Sequence, residues 1–248
     1  ALHRPMSDKA PLFTGEPDQQ QRLQSRWLQS DEVGDHQAEL RRMAGQMREV
    51  IDLMVASQAP QELLTIAADR MGDLIAEMAK WPSGRTYEGF AESATAGGDP
   101  NATFDHSPIL GLANPLSPPL RVEIEGDRVV AHVHFGAAYE GPPGCVHGGY
   151  VAAVFDELLG ATQTLSGTAG MTARLIVNYR RPTPLRTDLV MEGRLVRVDG
   201  RKVFVEGTCT AGGEVTAEAE GLFVTIDPTV LSALREARDL KPTHPGRS

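Results

Sequence analysis

Cysteine is scarce in this chain of 248 residues: there are two, Cys145 and Cys209. Their number and spacing give neither a disulfide framework nor a metal-binding pattern, and they fit a reducing, intracellular setting, read here as cytoplasmic. Basic charge is also short, with 24 Lys+Arg against 33 Asp+Glu and a formal net charge of −9. Non-specific binding to nucleic acid or to anionic lipid requires a basic face, so neither is expected as a partner. No apolar run approaches the roughly 20 residues of a membrane span. The first residues, Ala1-Leu2-His3-Arg4-Pro5, lead into a polar stretch, so no signal peptide is read there.

What is present is ordinary globular composition, 41% hydrophobic and 23% charged. A chain of this length buries roughly 70–75% of its unfolded surface and needs no disulfide or metal to hold a core. Length alone allows one large domain or two small ones.

From Gln19 to about Lys80 the residues are good helix formers. Leu40, Met43, Met47, Val50, Ile51, Met54 and Val55 recur at three- and four-residue spacing, as one apolar helical stripe does. Asp31 or Asp35 is the candidate cap. Pro60 suits the start of a second helix, whose stripe is Leu63, Ile66, Ala67, Leu74, Ile75 and Met78. The pattern predicts a helical hairpin over residues 1–81, packed against the rest of the chain or serving a partner. A Pro/Gly-rich connector over 82–114 follows, too rich in helix and strand breakers for either element and expected to drape over the next domain.

Beyond it the period changes to two. Residues 121–125 and 129–135 alternate around the Gly126-Asp127 turn and read as a β-hairpin. Residues 148–165 instead carry Val151, Val154, Phe155, Leu158 and Leu159 at helical spacing with small residues between, which suggests a helix buried on most sides. Strand signals follow at 175–179, 189–198, 202–210 and 215–226, the middle pair joined by Asp199-Gly200-Arg201. An antiparallel sheet with one principal helix is α+β. The domain is bounded at 115–227, with 228–248 as a tail holding a short helix.

Chemistry is possible where that helix starts. The loop Glu140-Gly-Pro-Pro-Gly-Cys-Val-His-Gly-Gly149 allows backbone N–H groups to approach a ligand closely. A helix N-terminus carries a partial charge of about +0.5 and suits a carbonyl becoming an oxyanion. Glycines at 148 and 149 leave room for one, although a glycine pair also marks an ordinary turn. Asp156 lies two helical turns beyond Gly149 and returns to the same face. Flanked by Phe155 and Leu158 it is expected off the open solvent face, where a carboxylate is perturbed. A structural ion pair is the rival reading, and Glu157 points about 100° away.

His147-Gly148-Gly149 and the helix to Asp156, ahead of four strands, resemble the hotdog-fold acyl-CoA thioesterases of the 4-hydroxybenzoyl-CoA superfamily, including its phenylacetate-degradation branch. The run Met171 to Pro182 and the segment Val198 to Lys202 resemble the long-chain acyl-CoA thioesterases called thioesterase superfamily members. The resemblance implies a sheet wrapped around one central helix, and a homodimer or dimer of dimers with active sites at the dimer interface. It implies hydrolysis of a fatty or aryl acyl-CoA with no metal and no cofactor, coenzyme A being part of the substrate. By that resemblance Gly149 supplies the oxyanion N–H and Asp156 is general base or nucleophile. Thr172 is the hydroxyl arriving from the partner subunit, and His147 orients the loop. Gly148, Asn178, Arg180 and Arg181 are assigned to substrate binding, the arginines as candidate holders of phosphate or as solvated surface. The sequence departs from many such enzymes in having no Asn or Gln in the loop before His147; either Glu140 takes part or the site works without one.

Cys145 has no base beside it and reads as a loop residue. His132 and His134 share one strand face but lack a third ligand. Two other classes stay open. One is a non-catalytic acyl-CoA or lipid-binding module with a partner-binding arm. The other is a hydratase, which would be expected to carry a helix histidine that is absent here.

Overall fold

The computed structural model describes residues 21, 24, 25, 27–81 and 104–226. The readings for the rest of the N-terminal region, for 82–103 and for the tail after 226 lie outside the described residues. Two helices come first, α1 (Asp35–Val55) and α2 (Gln61–Met78). Then follow β1 (Arg121–Glu125), β2 (Arg128–His134), α3 (Gly148–Gln163), β3 (Gly170–Tyr179), β4 (Asp188–Asp199), β5 (Lys202–Ala211) and β6 (Glu214–Thr225). The six strands make one antiparallel sheet in the order β1-β2-β4-β5-β6-β3. Helix α3 packs against β2, β3, β4, β5 and β6, the wrapped arrangement of a hotdog fold.

Alternation sets the inner face. Val129, Ala131 and Val133 of β2, Leu189 and Met191 of β4, Val203, Val205 and Cys209 of β5, and Ala217, Ala219 and Phe223 of β6 are all buried. They meet Val151, Val154, Phe155, Leu158 and Leu159 of α3, also buried. Three inner positions are glycines. Gly193 of β4 pairs with Gly207 of β5, and Gly221 of β6 lies opposite Val205. A methyl group on Gly193 would collide with the Thr162 hydroxyl of α3; on Gly207 it would sit 3.2 Å from side-chain atoms of Leu158 and Leu159, and on Gly221 3.1 Å from Leu159. These missing side chains form a channel across three strands, and the helix lies in it.

The two strand-joining turns read from the sequence form as expected. Gly126 has φ +63° and Gly200 φ +55°, in the left-handed region that glycine enters without cost. The start of β3 is different. It begins at Gly170, ahead of the alternating stretch, because a bulge between Thr172 and Arg174 breaks the period there.

The two N-terminal helices form where the periodicity placed them, and α1 is the one that meets the rest of the chain. Helix α1 packs on the 3₁₀ turn Ala137–Tyr139 and on the segment after residue 103. Within that segment Phe104, Leu110 and Leu120 are buried in the main core. Buried Asp105 accepts from Gln37 at 2.5 Å and pairs with Arg41 at 2.7 Å, while Arg48 donates to the carbonyls of Leu112 and Asn114. Trp27 stacks on Phe104, with ring centroids 4.7 Å apart, and meets α3 at Gly160. Neither candidate aspartate caps α1: its N-cap is Gly34 without a side-chain bond, and Asp35 is already in the first turn. Helix α2 has no buried residue, and Leu63, Ile66, Leu74 and Ile75 are exposed. Among the described residues no helix is long and apolar enough to cross a membrane.

The glycine channel makes a direct prediction. Gly193→Ala should lower stability by about 2 kcal/mol, the usual cost of overpacking a tight core. Urea unfolding monitored by circular dichroism would check it; an unchanged midpoint would mean that α3 is not seated against β4.

Candidate active site

The β2-to-α3 connection places the His-Gly-Gly segment by backbone bonds. The Val146 amide donates to Thr183 O at 2.8 Å and the His147 amide to Tyr139 O at 2.9 Å. Glu140 accepts from the Gly144 amide at 2.6 Å, so its carboxylate closes the loop on itself. Gly144 has φ +73°, which explains a glycine there. His147 is the N-cap of α3, and its Nδ1 accepts the Gly149 N–H at 3.0 Å. The amide expected to meet an oxyanion is therefore already holding an acceptor of its own chain.

Asp156 lies on the same side of α3, and the Thr172 hydroxyl donates to its Oδ1 at 2.8 Å. Both residues belong to one chain. The bulge after Thr172 aims the side chain at the helix. Asp156 is exposed in the single chain, contrary to the sheltered position expected of it, whereas neighbouring Glu157 is the partly buried one. Burial, reinforced by the Asp156 charge and opposed by Ser107, pushes the Glu157 carboxyl up to about 7. A helix apolar on most sides does not reveal from spacing which of two adjacent acids is covered.

Three tyrosines frame the site, and the sequence reading assigned none of them a role. Tyr179 donates to Gly148 O at 2.7 Å, and its ring occupies the space a Gly148 side chain would need. Its signal was available, since alternation from Leu175 and Val177 puts it on the inner face. Tyr150 of α3 meets Tyr139 edge-on, centroids 4.8 Å apart. Burial raises the Tyr139 hydroxyl to about 12, so it stays protonated and donates to Leu116 O.

His147, Gly148 and Gly149 are thus gathered at the N-terminus of α3, while Asp156 and Thr172 meet two turns further along the same helix. The other three assigned residues are not brought to them. Asn178 and Arg180 lie on the outer sheet face, in a cleft of about 390 Å³ with Glu192, Arg194 and Glu206. Arg180 pairs with Glu218 at 2.7 Å, and Arg181 pairs with Glu214. His134 pairs with Asp188, and no group of three or more His, Cys, Asp or Glu among the described residues has metal-binding geometry.

Residues 143–218 match the thioesterase superfamily. The chain is 38% identical over 103 residues to acyl-coenzyme A thioesterase THEM4 of Mus musculus, covering 41% of this chain and 44% of that protein. It is 30% identical over 95 residues to acyl-coenzyme A thioesterase THEM5 of Homo sapiens, covering 37% and 38%. The chain therefore spans less than half the length of these named relatives. A solved thioesterase superfamily protein superposes with TM-score 0.64 at 31% identity, over 79% of this chain and 97% of that one.

The raised Glu157 carboxyl has a signed consequence. A carboxyl at about 7 when folded and near 4.5 when unfolded keeps a proton that the unfolded chain releases, so stability falls as pH rises between those values. Glu157→Gln removes this loss. Its melting temperature should gain on the wild type by a few degrees from about pH 4.5 to about pH 7 and then level off. A gain independent of pH would contradict the burial of that carboxyl.

Proposed function

Since this chain belongs to the thioesterase superfamily, we propose that it hydrolyses a fatty or aryl acyl-CoA thioester to the free acid and coenzyme A. The carrying observation is the Thr172–Asp156 hydrogen bond on α3, two turns beyond the glycines that open that helix. Thioester hydrolysis needs an oxygen nucleophile and a donor for the developing oxyanion. Asp156 is assigned the first task, either taking a proton from water or attacking the carbonyl carbon itself, with Thr172 orienting one carboxylate oxygen. Gly149 N–H is assigned the second: the substrate carbonyl replaces His147 Nδ1 as its acceptor, and the helix dipole adds to the same field. Collapse of the tetrahedral species breaks the C–S bond, and the coenzyme A thiolate leaves. When water was the nucleophile the acid is then free; when Asp156 was, water hydrolyses the resulting Asp156–acyl anhydride to release it. No cofactor enters this scheme.

Arg180 and Arg181 are assigned to the coenzyme A phosphates, which compete with Glu218 and Glu214 for the two guanidinium groups. The assembly is proposed to be a homodimer or a dimer of dimers. Edge strand β3 supports this, because Met171, Ile176 and Tyr179 stand exposed along it. A cytoplasmic setting is proposed from the two free thiols, Cys145 and Cys209. The rival reading, a non-catalytic acyl-CoA-binding module with a partner-binding arm, has the exposed stripe of α2 in its favour.

The test is hydrolysis across acyl-CoA substrates of increasing chain length, followed by thiol release. Asp156→Asn should lower kcat by roughly 100-fold or more with the fold intact. Background turnover by the wild type with measurable acyl-CoA binding would favour the non-catalytic module.

A further inference from the structure

The carboxylate of Asp52 ties the N-terminal helix α1 to the turn that precedes the His-Gly-Gly loop. Asp52, partly buried in the last turns of α1, accepts the Ala137 amide and, at 3.4 Å, the Ala138 amide with one oxygen. These are the first two amides of the 3₁₀ turn Ala137–Tyr139, whose N-cap, Gly136, offers no side-chain bond of its own. Asp52 fits so closely that its carboxylate fills the space a side chain on Gly136 would take. The turn closes through Tyr139 N–H to Gly136 O and Glu140 N–H to Ala137 O. Its last residue, Tyr139, gives its carbonyl to the His147 amide at 2.9 Å. His147 in turn caps α3 and holds the Gly149 N–H. One turn earlier on the same face of α1, Arg48 holds the carbonyls of Leu112 and Asn114. Leu116, just beyond, accepts the Tyr139 hydroxyl.

We propose that Asp52 is a positioning residue for the reaction: it fixes the 137–139 turn, and through the Tyr139 carbonyl it sets the place of His147 and Gly149. This rests on the thioesterase reading above, and it gives the N-terminal arm a role in the site that the resemblance does not supply. The physical case is one of order. An uncapped 3₁₀ turn of three residues makes weak bonds of poor geometry and does not hold its last carbonyl in one place. A carboxylate that accepts both leading amides pins the turn, and small displacements of an oxyanion donor are costly to a reaction. Asn in place of Asp52 still offers an acceptor oxygen; Ala offers none.

The test compares wild type, Asp52→Ala and Asp52→Asn by amide hydrogen exchange and by steady-state kinetics with an acyl-CoA that the wild type hydrolyses. In Asp52→Ala, protection of the His147 amide should fall about tenfold or more while amides of β5 keep theirs, and kcat should fall about tenfold with KM changed less than threefold. Asp52→Asn should restore most of both. A uniform loss of protection across the sheet would make Asp52 merely structural and overturn the proposal. So would an unchanged His147 amide, an unchanged kcat in Asp52→Ala, or an Asn variant as impaired as the Ala variant. If the wild type hydrolyses no acyl-CoA, the thioesterase reading falls by itself, and the exchange at His147 still decides whether Asp52 holds the loop.

Discussion

The seating of α3 against three glycines is the contact on which the rest of the structure depends. Because Gly193, Gly207 and Gly221 carry no side chains, Leu158, Leu159 and Thr162 descend to the sheet backbone. At that depth every strand from β2 round to β3 touches the helix, so one element organises the whole inner face. The same depth fixes where the helix begins. Its N-terminus comes level with the far end of β3, where Tyr179 reaches Gly148, and its middle comes level with the start of β3, where Thr172 reaches Asp156.

Around this core the chain adds an arm held by polar contacts more than by apolar burial. Asp105, buried in the segment that follows residue 103, gathers Gln37 and Arg41 of α1. Gln29 donates to the carbonyls of Leu110 and Leu120, and Arg48 to those of Leu112 and Asn114. A loop of this kind has backbone groups that its own secondary structure leaves unpaired, and the arm supplies their partners. Helix α1 accordingly leaves its apolar stripe half-buried from Leu40 to Ile51 and exposed at Met54 and Val55, and α2 buries no residue.

Much of the wrapped domain was legible because its strands alternate and its turns carry glycine where φ is positive. The central helix was legible for a different reason: small residues between apolar ones mark an element packed on most sides. Three things were not. The first strand residues of β3 were hidden by a bulge, which breaks the alternation that a period-two reading looks for. The exposure of Asp156 and the partial burial of Glu157 depend on how far α3 rolls in its groove, a tertiary quantity. The arm's position was read from a methionine- and leucine-rich stripe, yet Asp105, Arg41, Arg48 and Asp52 decide it. Their partners lie 64 to 86 residues apart in sequence, and no local pattern announces such pairs.

At the site itself the central tension is over one hydrogen. The proposed reaction assigns Gly149 N–H to the oxyanion, and His147 Nδ1 now accepts it at 3.0 Å. That reaction requires a substrate carbonyl to take that acceptor's place, with Asp156 facing the carbonyl carbon. A crystal structure with a ketone analogue of acyl-CoA, in which a methylene group replaces the thioester sulfur, measures this directly. The account predicts the analogue's carbonyl oxygen about 3 Å from the Gly149 nitrogen, the imidazole displaced, and Asp156 turned to the carbonyl carbon. An analogue bound with its carbonyl elsewhere, and His147 still on the Gly149 amide, would contradict it.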